Sequence, residues 1–274
     1  MNDSMHFIFQ DDLVITEIKG NDFIDLFNRL STNNISDQSN LVTDSIFTNE
    51  NGRFIDVVSI WNISQSSYMV SNSFNHDDLL NWIDKYTFEE DISISKPLKK
   101  KVISIFSKNE DINLNIFGEI KENVIVNKKI EDVELILARS SFFNGHKIIN
   151  LILNNDSRSI QSIKSFLNSQ NIYEMEENEF NSFRIRNMIP ICGKEIINSY
   201  NPLEIGMSHL IDFDKGCYIG QEVIARLDTY DKIQRKLLML DNEKDSIMIS
   251  SKGCDVTSLD DAYCLAVVKK SILN

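Results

Sequence analysis

The sequence predicts an α+β fold. Runs of strand period and stretches of helical period both occur, and they do not alternate strictly as a doubly wound parallel sheet would require. The chain has 274 residues, 42% of them apolar and 16 of them Phe, which is enough to bury a sizeable core. Neither a flexible linker nor an internal repeat interrupts it.

Taken in order, Leu13–Ile18 reads as a strand. Asn21 or Asp22 can then cap a helix over Phe23–Leu30, whose Phe23, Ile24, Phe27 and Leu30 share a face. Leu41–Thr48 and Arg53–Ile60 are strand-like, with Asn51-Gly52 between them. Both turn residues tolerate positive φ, so the pair predicts a hairpin. Tyr68–Val70 is a further strand, and Leu79, Leu80, Trp82, Ile83 and Tyr86 give Asp77–Tyr86 an apolar helical stripe. Lys101–Phe106, Val133–Ala138 and Ile148–Leu153 read as strands, and Ser157–Leu167 and Glu177–Ile185 as helices. Ile189–Gln221 holds two of the three prolines and four of the nine glycines, and so reads as loops of the kind that carry sites. From Lys232 onward Lys236–Leu240, Ile247–Ser250 and Tyr263–Val268 are strand-like, a tail too short to bury a core except against the body. The expected division is a body of residues 1–231 and a C-terminal piece of residues 232–274.

The formal net charge of −13 repels nucleic-acid phosphates, so stable nucleic-acid binding is not expected. Cys192, Cys217, Cys254 and Cys264 fit no zinc-ligand spacing and read as reduced thiols, with no metal centre expected. Met1 to Asp12 has neither a basic start nor an apolar core, so it reads as neither signal nor transit peptide. No apolar run approaches the ~20 residues of a membrane helix. The expectation is a cytoplasmic protein without membrane partners.

The chemistry concentrates in Lys215-Gly216-Cys217-Tyr218-Ile219-Gly220-Gln221-Glu222. Two glycines bracket Cys217 and permit a tight turn. Gln221 to Leu227 then predicts a short helix on which Glu222 and Arg226 stand one turn apart. A cysteine ahead of a helix start, with Lys215 beside it, suits a thiolate. A buried structural cysteine is the plainer alternative. His209, eight residues upstream, is the nearest base in sequence, but nothing local resembles a protease signature.

This segment resembles the signature of the YgfZ-type proteins, a branch of the aminomethyltransferase (glycine-cleavage T-protein) folate-binding superfamily. Further blocks follow in family order: Lys19-Gly20 through Leu30-Ser31-Thr32-Asn33, Asn51-Gly52-Arg53 with Asp56, Arg184 to Glu195, Asn201-Pro202-Leu203-Glu204, and Gly253 to Val268. The resemblance implies an aminomethyltransferase-like folate-binding fold with an abbreviated C-terminal β-barrel portion. It implies tetrahydrofolate or a derivative as cofactor, and a role in assembly or repair of iron–sulfur proteins, including a tRNA-modifying enzyme. Iron–sulfur client or assembly proteins would be its partners.

Carried onto this chain, the resemblance makes Cys217, with Lys215, the reactive centre, lining the central opening of the body. It makes Asn33, Arg53, Asp56, Arg186, Glu204, Tyr218, Gln221, Glu222 and Arg226 the folate-site candidates. Two departures from the transferase pattern stand out. Arg184-Ile185-Arg186-Asn187-Met188 replaces Arg-Leu-Glu-Ala-Gly, and Asp56-Val57 replaces a pair of acids. As arginines, Arg53 and Arg186 suit a folate glutamate tail, or are plain surface charges. A folate-dependent one-carbon transferase and a non-catalytic interaction module remain the alternative readings.

Overall fold

Alternation along Phe54–Ile63 decides the layering. Val58 and Ile60 face one way, into a core with Phe23, Leu26, Phe27 and Leu30 of the helix Phe23–Leu30. Trp61 faces the other way and packs with Val102, Ala138 and Ile152 of a second sheet. The computed structural model describes residues 5–63, 66–107, 115–140, 148–230 and 232–273. Within them the first sheet has the order Leu41–Thr48, Phe54–Ile63, Ser66–Asn72, Leu13–Lys19, Ser93–Ile94. The second has the order Ile172–Glu174, Met5–Gln10, Lys100–Ser107, Ile148–Asn154, Val133–Ser140, Val126–Ile130. Its far face is covered by Ile163 and Leu167 of the helix Ser157–Ser169. The layers therefore run helix, sheet, sheet, helix, an α+β arrangement as expected.

The first strand, Met5–Gln10, belongs to the second sheet, pairing antiparallel with Lys100–Ser107 and parallel with Ile172–Glu174. The chain then crosses into the first sheet and returns, so the two halves are interleaved. The hairpin at Asn51-Gly52 forms, with Gly52 at φ 64°. A third, antiparallel sheet of Arg235–Asp241, Tyr263–Lys269 and Cys254–Leu259 lies within residues 232–274. It packs on the body through Leu237, Leu265 and Val267 against Ile46, Phe54 and Val57. The strand expected at 247–250 is instead a short helix, Ser246–Ile249. Ile247 is 88% exposed, and Ile249 and Ser250 donate four residues back to Asp245 and Ser246. No described helix is long and apolar enough to cross a membrane.

Candidate functional site

The Cys217 segment is pinned to the body on both sides of the cysteine. Upstream, Thr32 Oγ1 donates to Leu210 O at 2.7 Å and the Asp212 N–H donates to Thr32 O at 3.0 Å. Lys215 Nζ donates to Asn28 Oδ1, Ser31 O and Asn33 O at 3.2, 2.9 and 2.6 Å. Downstream, the Ile219 N–H donates to Arg29 O, and Thr48 Oγ1 to Ile219 O. Gly220, at φ 88°, sits so close to the hairpin turn that a Cβ would meet Asn49 O at 2.6 Å. Only glycine suits that position, on conformation and on space. The helix Gln221–Thr229 follows.

What this leaves is Cys217 exposed, in a non-helical stretch ahead of the helix. Two expectations change. Cys217 does not line either chamber of the central cleft described below. The Lys215 ammonium is spent on three oxygens of the 28–33 segment, and burial pushes its pKa down to about 8, so it clamps the loop instead of serving the thiol. Tyr218 is buried with Leu203, Ile211 and Ile224, and burial pushes its phenol up to about 12. Gln221 is half-buried, while Glu222, Arg226 and His209 are exposed.

The cleft lies between the two large sheets. Its inner chamber, of about 90 Å³, is walled by Val57, Ser59, Trp61, Val70 and Asn72 from one sheet and by Gln10, Val102, Ser104 and Asn150 from the other. Phe180, Pro190, Ile191 and Cys192 close it. No lining group is an acid or a base. Gln10 Nε2 donates to Ser104 Oγ at 3.1 Å, and Ser104 Oγ to Asn150 Oδ1 at 2.5 Å. An outer chamber of about 1170 Å³ shares Gln10, Leu13, Asn72, Phe180, Ile191 and Cys192 with the inner one. Together they reach the size of a cofactor site. Asp11, Asp12, Glu174, Glu176 and Glu177 line the outer chamber against Lys101, Arg184 and Lys194. Lys101 pairs with Asp11, and Arg184 with the buried Glu195, so the mouth is negative.

Asp56 lies directly behind this wall and is fully buried. It accepts the Asn72 N–H at 3.1 Å, Asn75 Nδ2 at 3.3 Å and the Cys192 thiol at 3.4 Å. Burial raises its pKa to about 6 in spite of these donors, and burial also pushes the Cys192 thiol well up. The sequence marked Asp56 but not Cys192, which had read as an ordinary thiol. Its position inside the loop-rich 189–221 stretch was the available signal.

No family model matches the sequence. Curated relatives do. The chain is 23% identical over 291 residues to a protein named aminomethyltransferase from Thermotoga sp. (strain RQ2), covering 93% of this chain and 76% of the relative. It is 24% identical over 238 residues to one of the same name from Caldanaerobacter subterraneus subsp. tengcongensis, covering 81% of this chain and 62% of the relative. Across the curated relatives it matches, it spans between 46% and 76% of their length. Among solved structures, the glycine cleavage system aminomethyltransferase T from Bartonella henselae superposes with a TM-score of 0.73 at 12% identity, over 98% of this chain and 80% of that one.

The chain has the aminomethyltransferase fold.

Within that fold the two departures acquire a position. Val57, standing where the transferase pattern carries the second acid, faces the inner chamber, while Asp56 is turned behind it. Arg186, at the place of the glutamate, pairs with Asp260 at 3.7 Å and stacks over Tyr263, against the third sheet and outside both chambers. Arg53 is likewise engaged elsewhere: Nη1 donates to Ser199 O and to Glu204 Oε2, each at 3.0 Å. Glu204 is buried, closes a capping box with Asn201, and also binds Arg235 at 3.0 Å. Asn33 donates to Asp44 O. Arg53, Arg186, Glu204 and Asn33 thus hold the fold together and do not line the cleft. All four cysteines are free, and among the described residues no three His, Cys, Asp or Glu side chains converge as a metal set.

Proposed function

We propose that the protein binds a reduced folate in the cleft without running aminomethyl transfer, and that Cys217 serves the assembly or repair of iron–sulfur proteins, tRNA-modifying enzymes among them. The observation that carries this reading is the inner wall of Val57, Ser59 and Trp61, uncharged where the transferase pattern places an acid. A site lacking that acid keeps room for a heterocycle but loses a proton-transfer group. The likeness to aminomethyltransferases supports the folate. The KGCYIGQE segment supports the iron–sulfur role, and its exposed thiol suits action on another protein. A folate-dependent transferase is the second reading, favoured by the relatives' names and by Asp56.

Cys217→Ser is near-isosteric at an exposed position, so folding stays intact within about 0.5 kcal/mol. In a deletion strain it should fail to restore iron–sulfur enzyme activity, whereas Cys254→Ser restores it. Full rescue by Cys217→Ser removes the thiol from the function. Turnover of a glycine-derived aminomethyl donor by the wild type establishes the transferase reading in its place.

The negative mouth sets the ligand form. 5-Formyltetrahydrofolate as the monoglutamate should bind at least as tightly as its polyglutamate. Arg53→Ala and Arg186→Ala should leave that ratio unchanged, since both arginines are paired outside the cleft. A polyglutamate preference of about tenfold, worth ~1.4 kcal/mol, would overturn this expectation and point to Lys194, the lining cation that pairs with no acid among the described residues.

A further inference from the structure

We propose that Cys192 is a positioning residue of the cleft: its thiol orients the Asp56 carboxylate one side chain behind the inner chamber, where a ligand N–H that displaces the thiol would meet it. This rests on the folate-type reading of the cleft only for the identity of the ligand. The geometry stands apart from it. Asp56 is fully buried and absent from the chamber lining, whereas Cys192 and Asn72 line both chambers and both donate to Asp56. Those two residues therefore separate the carboxylate from anything bound. The Asn72 donor is a backbone N–H, fixed by the strand Ser66–Asn72. The Cys192 donor is a side chain on a loop 136 residues away, and a thiol is a weak donor that a ligand N–H replaces at small cost.

The loop that carries Cys192 is itself anchored. The N–H of Ile191 donates to Glu195 Oε2 at 3.1 Å, and Glu195 pairs with Arg184. A Cβ at Gly193 would meet the ring of the exposed Phe74 at 3.6 Å, so the ring lies close over this turn. Around the pair, Asn72 and Asn75 are neutral, Glu195 is compensated by Arg184, and Asp12 adds a like charge that disfavours a thiolate at Cys192. Cys192 thus stays protonated and acts as donor, and Asp56 is the group that titrates.

Cys192→Val fills the volume without a donor, and Cys192→Ser keeps one. With carbon-13-labelled aspartate, the Asp56 carboxyl should titrate near 6 in the wild type, no higher in Cys192→Ser, and measurably higher in Cys192→Val. The pH midpoint for binding 5-formyltetrahydrofolate monoglutamate should move with it. An unmoved Asp56 titration in Cys192→Val overturns the proposal. Should that variant not fold, the wild type decides through its infrared S–H band. A pH-difference spectrum across the Asp56 titration should show the band shift, and a flat spectrum overturns the proposal. Failure of any folate to bind the wild type would sink the ligand reading and leave these titration results to judge Cys192 alone.

Discussion

Glu195→Gln should lower the unfolding free energy by about 3–5 kcal/mol, the range for leaving one member of a buried ion pair uncompensated. Glu195 is fully buried and joins three parts of the chain. Oε2 faces Arg184 Nη1 at 3.4 Å and takes the Ile191 N–H at 3.1 Å. Oε1 takes the Thr257 and Ser258 hydroxyls at 2.6 and 2.5 Å. Arg184, also buried, donates through Nη2 to Ser258 Oγ at 2.6 Å and through Nε to Asn181. Burial drags the guanidinium pKa down from its usual value, so losing the carboxylate leaves a cation with only neutral partners. Denaturant midpoints measure the loss, and the double variant Arg184→Met, Glu195→Leu should recover most of it by removing both charges. A loss below about 1 kcal/mol in Glu195→Gln would mean that the pair is solvated in solution.

The core of the fold is legible because its elements announce themselves by period. Phe23–Leu30 and Leu41–Thr48 occur with the bounds the sequence suggests, since an apolar face of 3.6 period and an Asn-Gly turn leave few alternatives. What escaped are edges and short strands. Cys254–Leu259 is half exposed and carries little alternation, Ile172–Glu174 has three residues, and Met5–Gln10 takes its role from partners about a hundred and more positions away. Non-local pairing leaves no local trace.

The sequence named residues of the candidate site but not their surroundings. Asp56 lies directly behind the cleft wall, where a turn and a strand register fix it. Cys217 and Lys215 were read from their neighbours in sequence. Their surroundings are made instead by residues 28–33 and 48–52, which turn Lys215 inward and leave Cys217 outside. Arg53 and Glu204 found each other across 151 positions, a pairing that no spacing reveals. The Cys192 thiol meets Asp56 across 136.

Asp56→Asn should remove a pH dependence of stability worth up to about 3 kcal/mol. Burial holds the folded carboxyl at about 6 against an ordinary value of 3.8. Between those values the folded state binds the proton and the unfolded state has released it. Stability from this group is therefore highest at low pH, falls as pH rises through that window, and reaches its full cost above about pH 6. The surface acids act in the opposite direction. Glu50 and Glu90 are held down to about 2 by their hydrogen bonds, chiefly from Tyr86 and from the Phe88 N–H, so their contribution fades as pH falls. Comparing wild type with Asp56→Asn at each pH cancels those acids and isolates the buried one. The amide retains an oxygen for the Asn72 N–H, while its NH₂ replaces the oxygen that takes both Asn75 Nδ2 and the Cys192 thiol, a fixed cost that does not vary with pH. The variant's stability relative to wild type should rise by about 2–3 kcal/mol between pH 4 and pH 7.5, read from denaturant midpoints. A relative stability that stays flat across that range would show Asp56 releasing its proton at the ordinary value, and with it a carboxylate that water reaches through the cleft.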